Sequence, residues 1–267
     1  MTKTWNPSLY IENALTEVKD QVWRTAALND FGDGIVCERR QLRGVFLENL
    51  ELQNFPMDVQ DLSITVVSER PDSEVELVPD DEELSSVNIG TFAKEQEWQL
   101  YHHVEASRKL VKIEFSSIQR LHSALQITCR AARRPGYFYY NVFLVMFFIS
   151  SISFGTFSVD CKLPQNRLQL SFTLLLTSIA FKMVINQSLP KISYLTYMDK
   201  YVLMSLVFLV LMCVWHSMIP FVYGDSNICY HEIYVEFAFL FLYVLGHILF
   251  ILFVYMNVSF TTATILN

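Results

Sequence analysis

ENLELQNFPMDVQDL, the stretch from Glu48 to Leu62, is the part of this sequence that decides the fold. Its centre, Asn54 to Gln60, combines turn-forming residues, an apolar plug and one acid, Asp58, which we expect to be buried. Four long apolar segments follow further along the chain. The stretch is therefore expected to form a compact turn upstream of an apolar domain.

Charge and apolar residues are unevenly distributed around this turn. Residues 1–135 carry 22 Asp or Glu and 15 Lys or Arg, whereas residues 136–267 carry five of each kind. The chain is 52% apolar and 14% aromatic, which is high for a soluble protein. We therefore expect two domains, a polar one at 1–135 and a transmembrane one at 136–260. Residues 1–30 show no apolar segment of the kind found in a signal peptide.

Short alternating apolar runs in the first half predict β-strands. They lie at 35–67, which includes Val45 to Leu52, and at 98–104, 109–115 and 121–129. An acidic segment containing proline, Glu69 to Ser86, separates them and predicts a loop. Strands with frequent turns are typical of an immunoglobulin-like β-sandwich, here an incomplete one.

The second half contains four apolar segments long enough to cross a bilayer. The predicted helices lie at about 137–157, 167–187, 200–222 and 233–258. Because the links between them are short, the helices are expected to run up and down as an antiparallel bundle.

The second predicted helix carries a stripe of side chains that is polar at both ends and apolar in the middle. Spacings of three and four residues place the stripe on one helical face. Such a face suits a water-filled pore shared by several subunits, with an apolar ring that closes it by dewetting. Packing against neighbours inside a single-chain bundle is the alternative, and the stripe alone leaves it open. The residues of the stripe are Gln169, Thr173, Leu176, Ala180, Met183 and Gln187.

Several segments resemble the pentameric ligand-gated ion channels, the Cys-loop neurotransmitter-gated receptor superfamily. They are the turn at Asn54 to Gln60, Trp5-Asn6-Pro7, Arg134 to Asn141, Asn166-Arg167-Leu168 and Leu189 to Tyr194. The resemblance runs from Trp5 to the end of the fourth helix. Glu48 and Leu62 stand where the family has its two bracketing cysteines. The family's first strands would precede Trp5, so the resemblance implies an N-terminally truncated subunit.

The resemblance implies a mechanism in which ligand binding to the β-sandwich opens a pore lined by the second helix. Leu176 would be the gate. Coupling between the two domains would run through Phe55, Pro56, Asp58, Arg134, Pro190 and Lys191, with Asp58 paired to Arg134. Ion selectivity would be set near Gln165, Asn166 and Arg167. Glu12 and Glu69 mark a candidate ligand region, and the alternative is that they are ordinary surface carboxylates. As an alternative for Asp58, its side chain caps its own turn.

The resemblance also implies partners and a location. The chain would assemble with four other subunits in the cell membrane, with the lipid bilayer around the helices and both termini extracellular. It would bind an unknown small-molecule ligand and conduct monovalent ions, and the acidic first half favours cations over anions. The alternative is a non-conducting accessory chain that assembles with full-length channel subunits.

Other classes of function find little support in the sequence. Motifs for nucleotide binding, zinc hydrolysis or a catalytic nucleophile are missing, so we expect neither an enzyme nor a cofactor. The adjacent His102 and His103 would point to opposite faces of a strand, and the five cysteines lack metal-binding spacing. Basic residues are too few and too dispersed for nucleic acid binding. A disulfide between Cys37 and Cys129 stays open.

Overall fold

The computed structural model describes residues 5–28, 32, 34–80, 85–91, 96–112, 120–160, 162–187, 189, 191–223 and 229–266. The chain divides into two compact units. Unit 1 comprises residues 1–50 and 59–132, and unit 2 comprises residues 51–58 and 133–267. The central turn of the opening stretch therefore belongs to the helical unit, although its neighbours in sequence belong to the β unit.

Unit 1 contains two β-sheets. The first has the strand order β1-β4-β6-β5, with β1 at Leu9–Ile11, β4 at Val59–Pro71, β5 at Trp98–Lys112 and β6 at Leu121–Arg133. The second pairs β2, Lys19–Leu28, with β3, Gly34–Arg43, as an antiparallel hairpin. Unit 1 buries Val67 and Ala124 completely, whereas β2 is exposed along its whole length. A short 3-10 helix, Ile89–Thr91, lies between β4 and β5.

One predicted strand is wrong. The run from Val45 to Leu52 forms no strand, and only Phe46 makes an isolated bridge, to Ala14. The alternation of Val45, Leu47 and Leu50 does not place their side chains in a core, since all three are exposed. The strands at 98–104, 109–112 and 121–129 are present within longer strands, and residues 113–115 lie outside the described residues.

Unit 2 contains four long helical segments. They span Gly136–Ser158, Pro164–Gln187, Tyr197–Tyr223 and Cys229–Leu266, and we call them the first to fourth helices. The first is composite, with a π-helical turn at Tyr139–Phe143 and a final 3-10 segment at Ser153–Ser158. All four contain a stretch long and apolar enough to cross a membrane. The predicted fold class, β-sheets followed by four membrane helices, is confirmed.

Local sequence explains where the third helix starts. Thr196 and Asp199 cap each other: the Asp199 carboxylate accepts from the Thr196 backbone N–H at 3.2 Å, and the Thr196 hydroxyl accepts from the Asp199 N–H at 3.1 Å. This reciprocal capping box satisfies two backbone donors at the helix N-terminus.

Candidate functional site

The turn at residues 51–58 is inserted into the apolar core of unit 2. Leu52 and Phe55 are buried in one cluster with side chains from three helices. The rings of Phe55 and Phe138 of the first helix make an edge-to-face contact, with ring centroids 4.7 Å apart. Leu52 and Phe55, the apolar plug of the turn, therefore pack directly on the membrane helices. The other buried members of the cluster are Val142, Met146, Ile185, Met198, Tyr201 and Val202.

The turn also touches the linker between the second and third helices. The Leu52 backbone N–H donates to the Tyr194 hydroxyl at 2.9 Å. Leu189 and Ile192 of the same linker pack against the cluster that holds Phe55. Lys191 is exposed, and Pro190 lies outside the described residues. The turn and the linker are thus joined by a hydrogen bond and by apolar contact.

Asp58 pairs with Arg133, so the predicted pair with Arg134 is wrong. The Arg133 guanidinium donates from Nε and Nη2 to the two carboxylate oxygens of Asp58, at 2.7 and 3.3 Å. Asp58 is 1% exposed and the Arg133 side chain 16%. The same guanidinium lies over the Phe55 ring, 4.8 Å from its centroid.

The β-sheet register gives the reason for this correction. Val59 pairs with Ala132, so Asp58 lies opposite Arg133, whose backbone N–H donates to the Asp58 carbonyl at 3.0 Å. Residues directly opposite each other project to the same face, and the next residue projects to the other face. Arg134 follows the end of β6 and is exposed.

A hydrogen-bonded carboxylate lies where the family has its disulfide. The Glu48 carboxylate accepts from the backbone N–H of Ser63 at 2.8 Å and from its hydroxyl at 3.0 Å. Ser63 follows Leu62, one of the two residues that replace the bracketing cysteines. The two ends of the loop are therefore held together without a covalent bond. Cys37 and Cys129 are free thiols.

The predicted pore stripe faces away from the rest of the chain. All six of its residues are exposed, and Leu176 is 68% exposed. The buried residues of the second helix are Arg167, Ser171, Ser178 and Ile185. At about 100° per residue, the centre of the stripe lies roughly 180° around the helix from these buried residues. The alternative in which the stripe packs inside a single-chain bundle is therefore wrong.

Arg167 at the start of the second helix is buried in a dense set of acceptors. It is 1% exposed, and its two Nη atoms donate to the two carboxylate oxygens of Glu232 at 2.9 and 3.0 Å. Its Nε and Nη2 also donate to the carbonyl of Val159, and Nη2 to that of Phe157 at 3.3 Å. Of the predicted selectivity residues, Gln165 and Asn166 are exposed, whereas Arg167 is not.

Glu12 and Glu69 lie on either side of Tyr10 in unit 1: Glu12 directly follows β1, and Glu69 is part of β4. The backbone N–H of Glu12 donates to Thr65 at 2.9 Å, and that of Glu69 to Ser8 at 3.0 Å. Both exposed carboxylates surround Tyr10, where burial and the two negative charges raise the pKa of the phenol. Among the described residues, no group of three or more His, Cys, Asp or Glu side chains could hold a metal ion.

The structure thus combines a β unit, a turn inserted into an apolar helical unit and an exposed polar stripe on the second helix. Comparison with known proteins finds similarity to ligand-gated channel subunits. The chain is 26% identical over 205 residues to a gamma-aminobutyric acid receptor subunit beta of Caenorhabditis elegans, covering 76% of this chain and 36% of the relative. It is 23% identical over 230 residues to the acetylcholine-gated chloride channel subunit acc-2 of the same species, covering 85% and 50%.

A third relative is the human gamma-aminobutyric acid receptor subunit gamma-1, 26% identical over 210 residues, with 77% of this chain and 43% of the relative covered. No family model matches the chain. The matches span between about a third and half of each relative's length. The chain is therefore similar to subunits of the Cys-loop superfamily of pentameric ligand-gated ion channels, with Glu48 and Leu62 in place of the two bracketing cysteines.

Proposed function

We propose that the chain is a subunit of a pentameric ligand-gated ion channel in which the second helix lines the pore. The observation that carries this proposal is the exposed stripe from Gln169 to Gln187. Polar side chains facing lipid are costly, because the bilayer core offers no hydrogen-bonding partners. Five copies of the stripe around a common axis would instead place Gln169, Thr173 and Gln187 in water.

In this arrangement Leu176 forms the gate. Its side chain projects from the middle of the stripe, and five such leucines would form an apolar ring that excludes water when the pore is narrow. Movement of the β domain would reach the pore helix through the turn at Phe55 and Pro56, the Asp58–Arg133 pair and the linker at Tyr194. Both ends of the chain and the β domain would lie outside the cell.

For the permeating ion, we favour chloride over cations. The relative named as a chloride channel supports this choice, and the lean towards cations from the acidic first half has no such support. The inner end of the second helix has no acidic residue in its first turn. Each helix N-terminus carries roughly half a positive charge, so five of them around the inner mouth would attract anions.

The ligand would be a small molecule of the kind for which the relatives are named, bound by unit 1. Glu12 and Glu69 could hold an ammonium group beside Tyr10. Half-maximal activation by gamma-aminobutyric acid or acetylcholine should therefore need more ligand after Glu69→Gln, and not after Glu17→Gln. An equal effect of both changes would exclude this region.

Current recording from cells that express the full chain tests the channel itself. Leu176→Thr should produce current without ligand, because a hydroxyl in the ring lets water enter the closed pore. Leu174→Thr is the matched control, since Leu174 is half-buried and lies about 200° around the helix from Leu176. Surface protein without current in Leu176→Thr, or equal current in both variants, would contradict the pore assignment and favour a non-conducting accessory chain.

A further inference from the structure

Unit 2 contains a cavity that the channel mechanism does not use. Its volume is about 400 Å³, within the range of small-molecule sites. The turn contributes Leu52 and Phe55 to its wall, the second helix contributes Lys182 and Asn186, and the linker with the start of the third helix supplies the rest. The cavity opens beside residues of the linker that are exposed.

Two lysines line this cavity, Lys182 and Lys191. Among the residues that the structure describes, neither Lys182 nor Lys191 forms an ion pair or a side-chain hydrogen bond. Asp199, the cavity's acidic residue, already accepts from the backbone N–H and the hydroxyl of Thr196, at 3.2 and 2.7 Å. Within the described part of the chain, the cavity therefore contains two positive charges without a counter-charge and a carboxylate that already caps a helix.

The position of Lys182 makes this charge unusual. It lies four residues after Ser178 and three before Ile185, on the buried face of a helix apolar enough to cross a membrane. The side chain is half-buried. An ammonium group in such surroundings is costly unless an anion or water accompanies it.

The remaining wall of the cavity is partly apolar, with Asn186, Tyr194 and Thr196 as its other polar residues. Besides Leu52 and Phe55 it includes Leu189, Ile192 and Leu195. An occupant that suits both parts of the wall needs an anionic head for the lysines and an apolar body for these side chains. Charge-assisted hydrogen bonds from lysine to a carboxylate, sulfate or phosphate are the strong kind.

We propose that this cavity binds a small amphipathic anion, with its acidic group at Lys182 and Lys191 and its apolar part against Leu52 and Phe55. The ligand would bridge the turn, the second helix and the linker. Since these are the parts that would couple the β domain to the pore, its regulatory effect rests on the proposed function. The binding itself does not.

Photolabelling of the purified full chain tests the site. The probe is octanoate carrying a diazirine on its chain, and octanol with the same diazirine is the uncharged control. Octanoate should label peptides containing residues 51–58 and 189–199. Lys182→Met and Lys191→Met should each reduce this labelling about tenfold, as expected for a lost charge-assisted hydrogen bond. Lys162→Met, at an exposed lysine away from the cavity, should leave labelling unchanged.

Lys182→Arg separates a binding effect from a folding effect, because it keeps the charge and should keep most of the labelling. Equal labelling by octanol, or labelling that survives in both methionine variants, would overturn the proposal. In lipid nanodiscs, competition by phosphatidylserine would identify a lipid source of the acid, and competition by inorganic phosphate a soluble source. A chain that labels as expected but carries no current would refute the proposed function and leave this site intact.

Discussion

The Asp58–Arg133 pair allows a quantitative test of how the turn is held in the helical unit. Asp58→Asn keeps the shape of the side chain and removes the negative charge that the Arg133 guanidinium contacts. Asp58 is 1% exposed and the Arg133 side chain 16% exposed. Removing one partner of a buried pair costs about 3–5 kcal/mol, because the other charge stays desolvated.

A second aspartate–arginine pair, which joins β4 and β6, is the matched control. Arg130 and Asp61 have the same residue types and similar geometry, with hydrogen bonds of 2.7 and 3.1 Å, but their side chains are 35% and 52% exposed. Exposed pairs contribute about 0–1 kcal/mol, since water solvates both charges. The two pairs therefore differ mainly in burial, which isolates the desolvation effect.

The assay is a double-mutant cycle on the free energy of unfolding, measured by SDS titration of the detergent-solubilised full chain. The variants of the buried pair are Asp58→Asn, Arg133→Gln and the double variant. Those of the exposed pair are Asp61→Asn, Arg130→Gln and the double variant. We expect a coupling energy of about 2 kcal/mol or more for the buried pair and below about 1 kcal/mol for the exposed pair. The contact of Arg133 with the Phe55 ring is lost in both variants that lack Arg133, so it cancels.

Two results would refute this reasoning. Equal coupling energies for the two pairs would show that burial does not strengthen the interaction. A loss of stability in Arg134→Gln as large as that in Arg133→Gln would show that the register argument picks the wrong arginine.

Three further predictions follow from the same contacts. Arg167→Gln should lower the free energy of unfolding by about 3–5 kcal/mol, because the buried Glu232 carboxylate loses its ion-pair partner. The double exchange Arg167→Glu with Glu232→Arg should recover part of this loss. Unchanged stability of Arg167→Gln would show that the ion pair does not stabilise the fold. Replacing external chloride with gluconate should move the reversal potential to more positive values, whereas no shift would exclude chloride. Glu48→Ala should lower the free energy of unfolding by about 1.5–3 kcal/mol, because it removes two charge-assisted hydrogen bonds to Ser63. SDS titration measures this loss. An unchanged unfolding midpoint would show that this contact does not hold the two ends of the loop together.

The four helices could be predicted from sequence because their signal is local. An apolar segment of about 20 residues is visible without any knowledge of its partners. The stripe on the second helix is equally local, because it follows from a helical repeat. The strand at Val45 to Leu52 was predicted on the same kind of evidence and is wrong, since alternation alone does not say whether a run finds a neighbouring strand with which to form hydrogen bonds.

The burial of Arg167 could not be predicted, because its partner Glu232 is 65 residues away in the chain. From sequence alone, a base at the end of a predicted pore helix favours a role in ion selection. The structure instead uses its charge to bind the start of the second helix to the fourth helix and to the carbonyl of Val159. In the proposed channel, charge selectivity at this end of the pore would depend on exposed groups and helix dipoles rather than on this guanidinium.

The choice between Arg133 and Arg134 could not be made from the sequence, because it depends on the pairing register of β4 and β6. Both arginines are near the first helix, and no property of their side chains distinguishes them. The pairing of Val59 with Ala132 does, because it fixes which arginine projects to the face of Asp58. Once that register is known, the Asp58–Arg133 ion pair explains how the turn is held in the helical unit. Asp58 of the turn binds Arg133, the last residue of β6, and the Phe55 ring packs against the same guanidinium. A one-residue slip of β6 against β4 would therefore break the ion pair and displace the apolar plug together, so the position of the turn depends on the register of the sheet.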